Sequence, residues 1–395
     1  MFDNKRIRST KALVIAILII NLTFFGCIGP RGWAGTVVDG EGLVVGSMDG
    51  KILRLDFLAR EEERQFPAAG EWEWKPDSVG GGGSFLDCAG SGQFAGGNIY
   101  GIPVVVEDFV YVGTYDGRVF AIDARESDNV HTEWSYDIGS AIVGGVAVHN
   151  NVVYVGASDG KLYALDATTT SSEGALKEGF ETFQAGDKIW STPLAQGGVV
   201  YFGSLDHRFY AIDAETGAPI WNEPFKAEGA IASTPVVAGG VIYFGAFDSS
   251  FYALRAGTGQ PKWDEPFKAD NWFWTTALYS DGVIYAGSLD HKVYAIDAES
   301  GQAIWDEPFK TDSPLLSSPV ASGGVLAVAS ENGKVYGLDP DTGREIWVDA
   351  VDLKVGVHAA LAAVDGKIYI NALNNKLYSI QAADGRAGWN KSLSE

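Results

Sequence analysis

Residues 199–221 read VVYFGSLDHRFYAIDAETGAPIW. Nearly the same text returns at 241–263 (VIYFGAFDSSFYALRAGTGQPKW), 283–305 (VIYAGSLDHKVYAIDAESGQAIW), 325–347 (VLAVASENGKVYGLDPDTGREIW) and 367–389 (KIYINALNNKLYSIQAADGRAGW), stepping by 42 residues each time. The opening signature Tyr201-Phe-Gly also appears upstream as Val44-Val-Gly, Tyr111-Val-Gly and Tyr154-Val-Gly, which makes eight copies. One copy resolves into four short strands. Pro235-Val-Val-Ala, Val241-Ile-Tyr-Phe-Gly-Ala, Phe251-Tyr-Ala-Leu and residues 260–267 are separated by Gly239-Gly240, Phe247-Asp-Ser-Ser and Gly257-Thr-Gly. β-branched and aromatic runs between such turns are strands, and no helical period interrupts them.

A single four-stranded sheet cannot cover both of its faces, so the copies must stack. Closing eight of them into a ring removes the free ends and leaves only short outer edges. Repeats of about 40–45 residues holding several strands are the mark of a β-propeller. The fold class expected is therefore all-β, an eight-bladed β-propeller of four-stranded antiparallel blades. The second turn of each copy has its apex at Gly50, Gly117, Gly160, His207, Ser249, His291, Gly333 or Asn375, mostly after Asp or Asn. That chemistry predicts a type I′ turn with two positive φ angles.

The turn before each last strand reads Asp213-Ala-Glu-Thr-Gly, Asp297-Ala-Glu-Ser-Gly or Asp339-Pro-Asp-Thr-Gly and leads to a tryptophan. Asp and Thr side chains bond the local backbone, and the indole offers a large flat surface for packing between blades. This alanine-x-Asp-x-x-Thr-Gly-x-x-x-Trp pattern resembles the tryptophan-docking motif of the pyrroloquinoline-quinone-type propeller repeat, across about residues 33–390. The resemblance implies docking roles for Trp134, Trp221, Trp263, Trp305, Trp347 and Trp389. The pattern departs at Arg255, at Gln381 and Asp384, and in the third copy, which has no tryptophan and leaves Phe180 or Phe183 as substitute. Proteins of this superfamily include quinone-dependent alcohol dehydrogenases and non-enzymatic envelope lipoproteins such as BamB, an accessory factor of outer-membrane β-barrel assembly.

Residues 1–26 lie outside the repeat. Lys5, Arg6, Arg8 and Lys11 precede an apolar stretch over residues 12–25 that ends Phe24-Phe-Gly-Cys27. This suits a secretory signal and is short for a membrane span. A small residue before Cys27 resembles the lipoprotein box, with Phe24 where Leu is usual, so Cys27 is read as the lipidated first residue of the mature chain. An ordinary cleaved signal and an uncleaved anchor helix are the alternatives. The remaining chain, 27–395, reads as one domain, with a Gly-rich insertion inside 57–102. Cys27 and Cys88 are the only cysteines, so disulfides do not build this fold. A lone thiol in a glycine-rich loop, without a second thiol or a nearby His, reads as a loop residue rather than a ligand.

The chain carries a net charge of −22, and its first residues are basic, so the ring is more acidic still. No basic stripe remains to track phosphates, which argues against nucleic acid. The quinone-dependent enzymes of the superfamily use a vicinal disulfide, calcium and a catalytic Asp, and this chain has no adjacent cysteines. No cofactor, metal or catalytic residue is therefore expected. His207 and His291 sit in equivalent turns two blades apart, too far for one ion. Aligned by the repeat, the loops leading into the innermost strands bring Tyr100, Val143, Trp190, Ala232, Trp274, Leu316 and His358 to equivalent places. In Asn271-Trp-Phe-Trp, successive residues cannot all point one way, so at least one ring should reach the channel mouth or the surface.

Trp190, Trp272, Phe273, Trp274, His207, His291 and His358 are the partner-binding candidates, against the alternative that the aromatics pack between blades. Glu228, Asp270 and Asp312 repeat beside them as an acidic arc or a solvated rim. The function expected is a non-catalytic, extracytoplasmic protein-binding scaffold of the BamB-like type, its partners being envelope proteins and the membrane through its lipid. Capture of a small molecule or glycan, and a quinone-dependent dehydrogenase, are the alternatives.

Overall fold

The computed structural model describes residues 34–76 and 97–394. Cys27, Cys88, the leader and most of the Gly-rich run lie outside the described residues. The described chain forms eight four-stranded antiparallel sheets, each built from four strands consecutive in sequence and paired in sequence order. This is the eight-bladed propeller that the repeat predicts. Blade 4 is representative. Its strands are Leu194–Gln196, Val199–Gly203, Arg208–Asp213 and Phe225–Lys226. Tyr201 pairs with Leu194 on one side and Ala211 on the other. Among the described residues no helix is long and apolar enough to cross a membrane.

Of the three hairpin turns in a blade, the first has the two positive φ angles of type I′ in blades 3 to 8, as at Gly239 and Gly240 (56° and 75°), whereas blades 1 and 2 have one there, at Gly40 and Glu107. The second was expected to be type I′ as well, and it is not. All eight apex residues do have positive φ, including His207 at 70°, His291 at 69° and Asn375 at 58°, but the residue before each does not. In blade 4 Ser204 N donates to Arg208 O at 3.0 Å and His207 N donates to Ser204 O at 3.3 Å. That is a three-residue loop with a left-handed last residue. The preceding Asp explains the choice. Asp206 accepts from Arg208 N (2.9 Å), from the Tyr210 hydroxyl (2.5 Å) and from Gly186 N in the loop feeding the blade (2.8 Å). Asp248 and Asp290 repeat the arrangement with Tyr252 and Tyr294. A carboxylate spent on three donors fixes the turn more firmly than a second positive φ would.

The core lies between blades rather than within them. Tyr201, Phe209 and Trp221 of blade 4 pack on Ile231, Ile242 and Phe244 of blade 5, and equivalent layers recur around the whole ring. Docking follows one geometry. The Trp263 indole N–H donates to Ala298 O of the next blade at 3.1 Å, and a Cβ added at Gly301 would stand 2.6 Å from the Trp263 ring. Gly301 has φ of 75°, so the position demands glycine for conformation and for space. Trp221, Trp305 and Trp347 donate likewise to Ala256, Pro340 and Ala382 at 2.8–2.9 Å, and Trp134 is buried against blade 3. Where Arg255 and Gln381 replace the Asp, the turn survives on backbone bonds, Gly259 N to Arg255 O and Gly385 N to Gln381 O.

Blade 3 lacks the tryptophan, and Phe180 takes its place. Its ring lies 6.0 Å from Tyr154, matching 5.9 Å for Trp263 to Tyr243. Phe183 instead does what Phe225 does in the next blade, standing edge-on to Tyr210. With no indole present, the Tyr154 hydroxyl alone donates to Ala214 O, at 2.7 Å, a carbonyl position that in the docking of blades 5 and 6 takes both a tyrosine hydroxyl and an indole N–H.

The seam between blades 8 and 1 is built differently. Trp389 is half-buried and its buried indole nitrogen finds no acceptor among the described residues, so it docks only in part. Blade 1 has no docking turn to receive it. A five-residue helix, Phe57–Glu61, stands there, a helix the strand pattern did not reveal. Phe57 stacks on Tyr369 of blade 8 at 5.4 Å. Behind it Arg60 and Glu71 form a buried two-pronged pair at 2.6 and 2.8 Å. Glu71 also accepts from Asp56 N and Ala68 N. The early part of the insertion is thus an ordered brace that ends in the blade's outer strand, Trp72–Trp74. Trp74, absent from the expected docking set, reaches blade 2 through Thr132 Oγ1 at 3.1 Å. Asn371 completes the closure. It occupies the place of the usual glycine, and its Nδ2 donates to Ala34 O and Gly46 O, both at 2.8 Å.

Two stability predictions follow from these contacts. Trp263→Ala should cost about 3–5 kcal/mol in chemical unfolding through lost burial and a cavity, and Trp389→Ala clearly less. Equal losses would contradict the partial docking of Trp389. Glu71→Ala should cost about 3–5 kcal/mol because it strands the buried Arg60 guanidinium; a loss under about 1 kcal/mol, typical of exposed pairs, would show that the pair is solvated.

Candidate functional site: the channel mouth

The loops feeding the innermost strands converge on the ring axis. Tyr100, Val143, Trp190, Ala232, Trp274, Leu316 and His358, aligned by the repeat alone, all line one well there, of about 110 Å³. The well draws on every blade, Gly35 representing blade 1. Each aligned side chain arrives because its neighbour is anchored. Ile189, Ile231, Phe273, Leu315 and Val357 turn into the inter-blade core, and strand alternation sends the next residue toward the axis.

This alternation sorts the aromatic candidates. Phe273 is 1 % exposed and packs against Gly245, where a Cβ would come within 2.2 Å of it. It belongs to the core and is withdrawn from the binding surface. Trp272 is 5 % exposed and lies beneath Phe247, centroids 4.6 Å apart and nearly parallel. It is withdrawn too. Trp274 covers the other side of Phe247 at 5.2 Å, half-buried, and is the member of the triplet that reaches the channel. Together these rings form a three-layer stack that rests on Leu289 and Leu316. Trp190 is half-buried, with its indole donating to Ser158 Oγ at 3.2 Å and Lys188 5.9 Å over its ring.

The histidines separate similarly. His207 and His291 are exposed at their turn apices on the same face, where their carbonyls accept from Ala227 N and Thr311 N of the loops that lead into the following blades. His358 lies in the well wall, 3.9 Å from Glu331, and burial pushes its imidazole down to about 4. Burial also pushes the Tyr100 phenol upward. Both groups are uncharged at neutral pH.

The acidic arc is partly neutralised. Asp270 pairs with Lys292 at 2.6 Å, which holds its carboxyl below the usual range, and Asp312 pairs with Lys334. Glu228 stays exposed. Elsewhere, Asp123, His131 and Glu133 bring ligand atoms within 4.8 Å of one another, but the Arg125 guanidinium already holds Asp123.

The His358 shift has a stability consequence. Between about pH 6.5 and pH 4 the unfolded chain takes up a proton that the folded protein refuses, so stability should fall as pH is lowered through that window. His358→Leu should flatten this part of the stability–pH profile. An unchanged slope in the variant would show that His358 titrates normally.

The known proteins most informative about this geometry are propellers. A family profile described as outer membrane protein assembly factor BamB matches residues 89–173, 181–313 and 268–395. The crystal structure of BamB from Moraxella catarrhalis superposes with a TM-score of 0.64 at 20 % identity, over 89 % of this chain and 91 % of that one. The computationally designed Ika8 protein superposes at 0.66 with 16 % identity, over 91 % and 99 %. Sqt1 of Saccharomyces cerevisiae gives 0.60 at 13 % identity, over 72 % and 82 %. At such identities the structural likenesses speak for the fold alone. No curated protein matches the sequence significantly. The family profile spans most of the chain, and the protein belongs to the BamB family of β-propellers.

Proposed function

We propose that this protein is a non-catalytic, extracytoplasmic scaffold that binds envelope proteins, acting in outer-membrane protein assembly where the cell has an outer membrane. Family membership supports the scaffold reading. The observation that carries the choice of surface is the aromatic stack at the channel mouth. Trp274, Phe247 and Trp190 are only half-buried, on loops held by a rigid ring, and rigid aromatics at a partly exposed patch make effective interface anchors. His207 and His291 frame the same face.

The chemistry of the well supports a binding role over a quinone-dependent one. No Asp, Glu, Lys or Arg is among its described lining residues, and its two titratable groups, Tyr100 and His358, are both held neutral by burial, which favours an uncharged guest over a charged redox cofactor. Cys27, as the acylated N-terminus, would hold the ring at a membrane, since lipid chains supply about 0.8 kcal/mol per buried CH₂.

The test uses the full chain in its cell envelope. Trp274→Ala should weaken capture of the envelope partner at least about tenfold with the fold intact, whereas Cys27→Ser should release the protein from the membrane fraction or leave an unprocessed precursor. Normal partner capture by the Trp274→Ala and Trp190→Ala variants would move the interface elsewhere on the ring. Unchanged processing and retention of the Cys27→Ser variant would remove the lipid anchor.

A further inference from the structure

We propose that the axial well is a binding site for a small uncharged polyol, of about the size of glycerol. The proposal concerns the interior of the well, which shares Trp190 and Trp274 with the protein-binding surface proposed above and adds to them a hydroxyl arc of its own.

Two steps along each innermost strand from the mouth residues, a second tier lines the well. Over four successive blades this tier reads Thr192, Thr234, Thr276 and Ser318, an arc of hydroxyls at the 42-residue step. The opposite side of the tier is apolar or small, with Ile102, Gly145 and Ala360. Thr192 Oγ1 accepts from Gly145 N at 2.7 Å, which ties the arc to the facing wall. One position breaks the repeat. In blades 4, 5 and 7 a buried Ser191, Ser233 or Ser317 donates to the carbonyl of Gly203, Gly245 or Ala329. Blade 6 has Thr275 there, 7 % exposed, also part of the well lining, and its buried hydroxyl has no partner among the described residues. That hydroxyl is sealed from the well, at the position whose serine counterparts bond into their own blades, so it belongs to the wall and the guest meets only the hydroxyl arc.

Charge decides the class of guest. In a chain of net charge −22, a well without a single charged lining residue is a local exception. Its two titratable groups, Tyr100 and His358, face the axis in neutral form. Leu316 and Trp274 flank the arc, Glu331 stands 3.9 Å from His358 on the outer side, and no cation balances an anion inside. A phosphate or carboxylate would exchange its hydration for neutral donors alone, with no Lys or Arg among the described lining residues to offset its charge. A cation would find hydroxyls and no carboxylate. A neutral polyol can exchange donors and acceptors with the hydroxyl arc and lay its C–H face on the indoles of Trp190 and Trp274. A well of about 110 Å³ has room for a triol.

The experiment titrates the full chain with glycerol, and with glycerol 3-phosphate as the charged comparator, reading intrinsic tryptophan fluorescence together with saturation-transfer NMR. Expected is a saturable response to glycerol in the millimolar range, absent with the phosphate. In the isosteric Thr234→Val, Thr276→Val double variant, affinity should drop about tenfold, as the loss of two ordinary hydrogen bonds implies. A linear, non-saturating response, equal binding of the phosphate, or undiminished affinity in the double variant would each overturn the proposal. If the double variant does not fold, the contrast between the two ligands on the parent protein still decides it.

Discussion

The indoles of Trp221, Trp263, Trp305 and Trp347 each lie across a glycine of the following blade and donate their N–H to a carbonyl there. A blade of four short strands has little interior of its own. Its apolar residues face sideways, and they are buried only when the next blade is present. The tryptophan fixes the distance and angle of that contact, because an indole has one donor and one flat face. Everything nearer the axis depends on this spacing. The mouth residues meet around a well of about 110 Å³ because eight similar offsets close a circle, the seam matching the others by different contacts.

The architecture was legible because it was written many times. A 42-residue step, Asp at the second turn and Trp at the last strand each had five or more copies to average over. Repetition also brought the seven mouth residues to equivalent places and left Phe180 or Phe183 as substitute for the missing tryptophan, of which the structure uses Phe180. What the repeat could not show is whatever occurs once. The helix Phe57–Glu61, the buried Arg60–Glu71 pair, Asn371 in a glycine's place and the half-docked Trp389 all belong to the seam, where the chain's two ends must meet without a repeat to copy. The second turn was misread for a local reason. Composition at an apex reports the need for one positive φ, but the count of such angles depends on what the preceding Asp bonds, and its partners lie about four and about twenty residues away.

The candidate site was only half legible. The repeat put Trp274 of Asn271-Trp-Phe-Trp at the mouth position, but it did not take Trp272 and Phe273 off the candidate surface. The fold supplies the answer through Gly245, whose missing side chain admits Phe273 and so commits Trp274 to the channel. The neutrality of the well was invisible in a composition dominated by acid. It follows from which residue of each loop faces inward, and the acids of those same loops, Asp270 and Asp312, turn outward to lysines.

Native-state hydrogen exchange, resolved by blade, addresses the inter-blade account most directly. If each blade is stable only against its neighbours in a closed ring, the slowest amides of the second and third strands in all eight blades should exchange through one common opening, with a shared free energy and a shared denaturant dependence. Blades that open one by one, each with its own free energy and without response to a change at the seam, would contradict it.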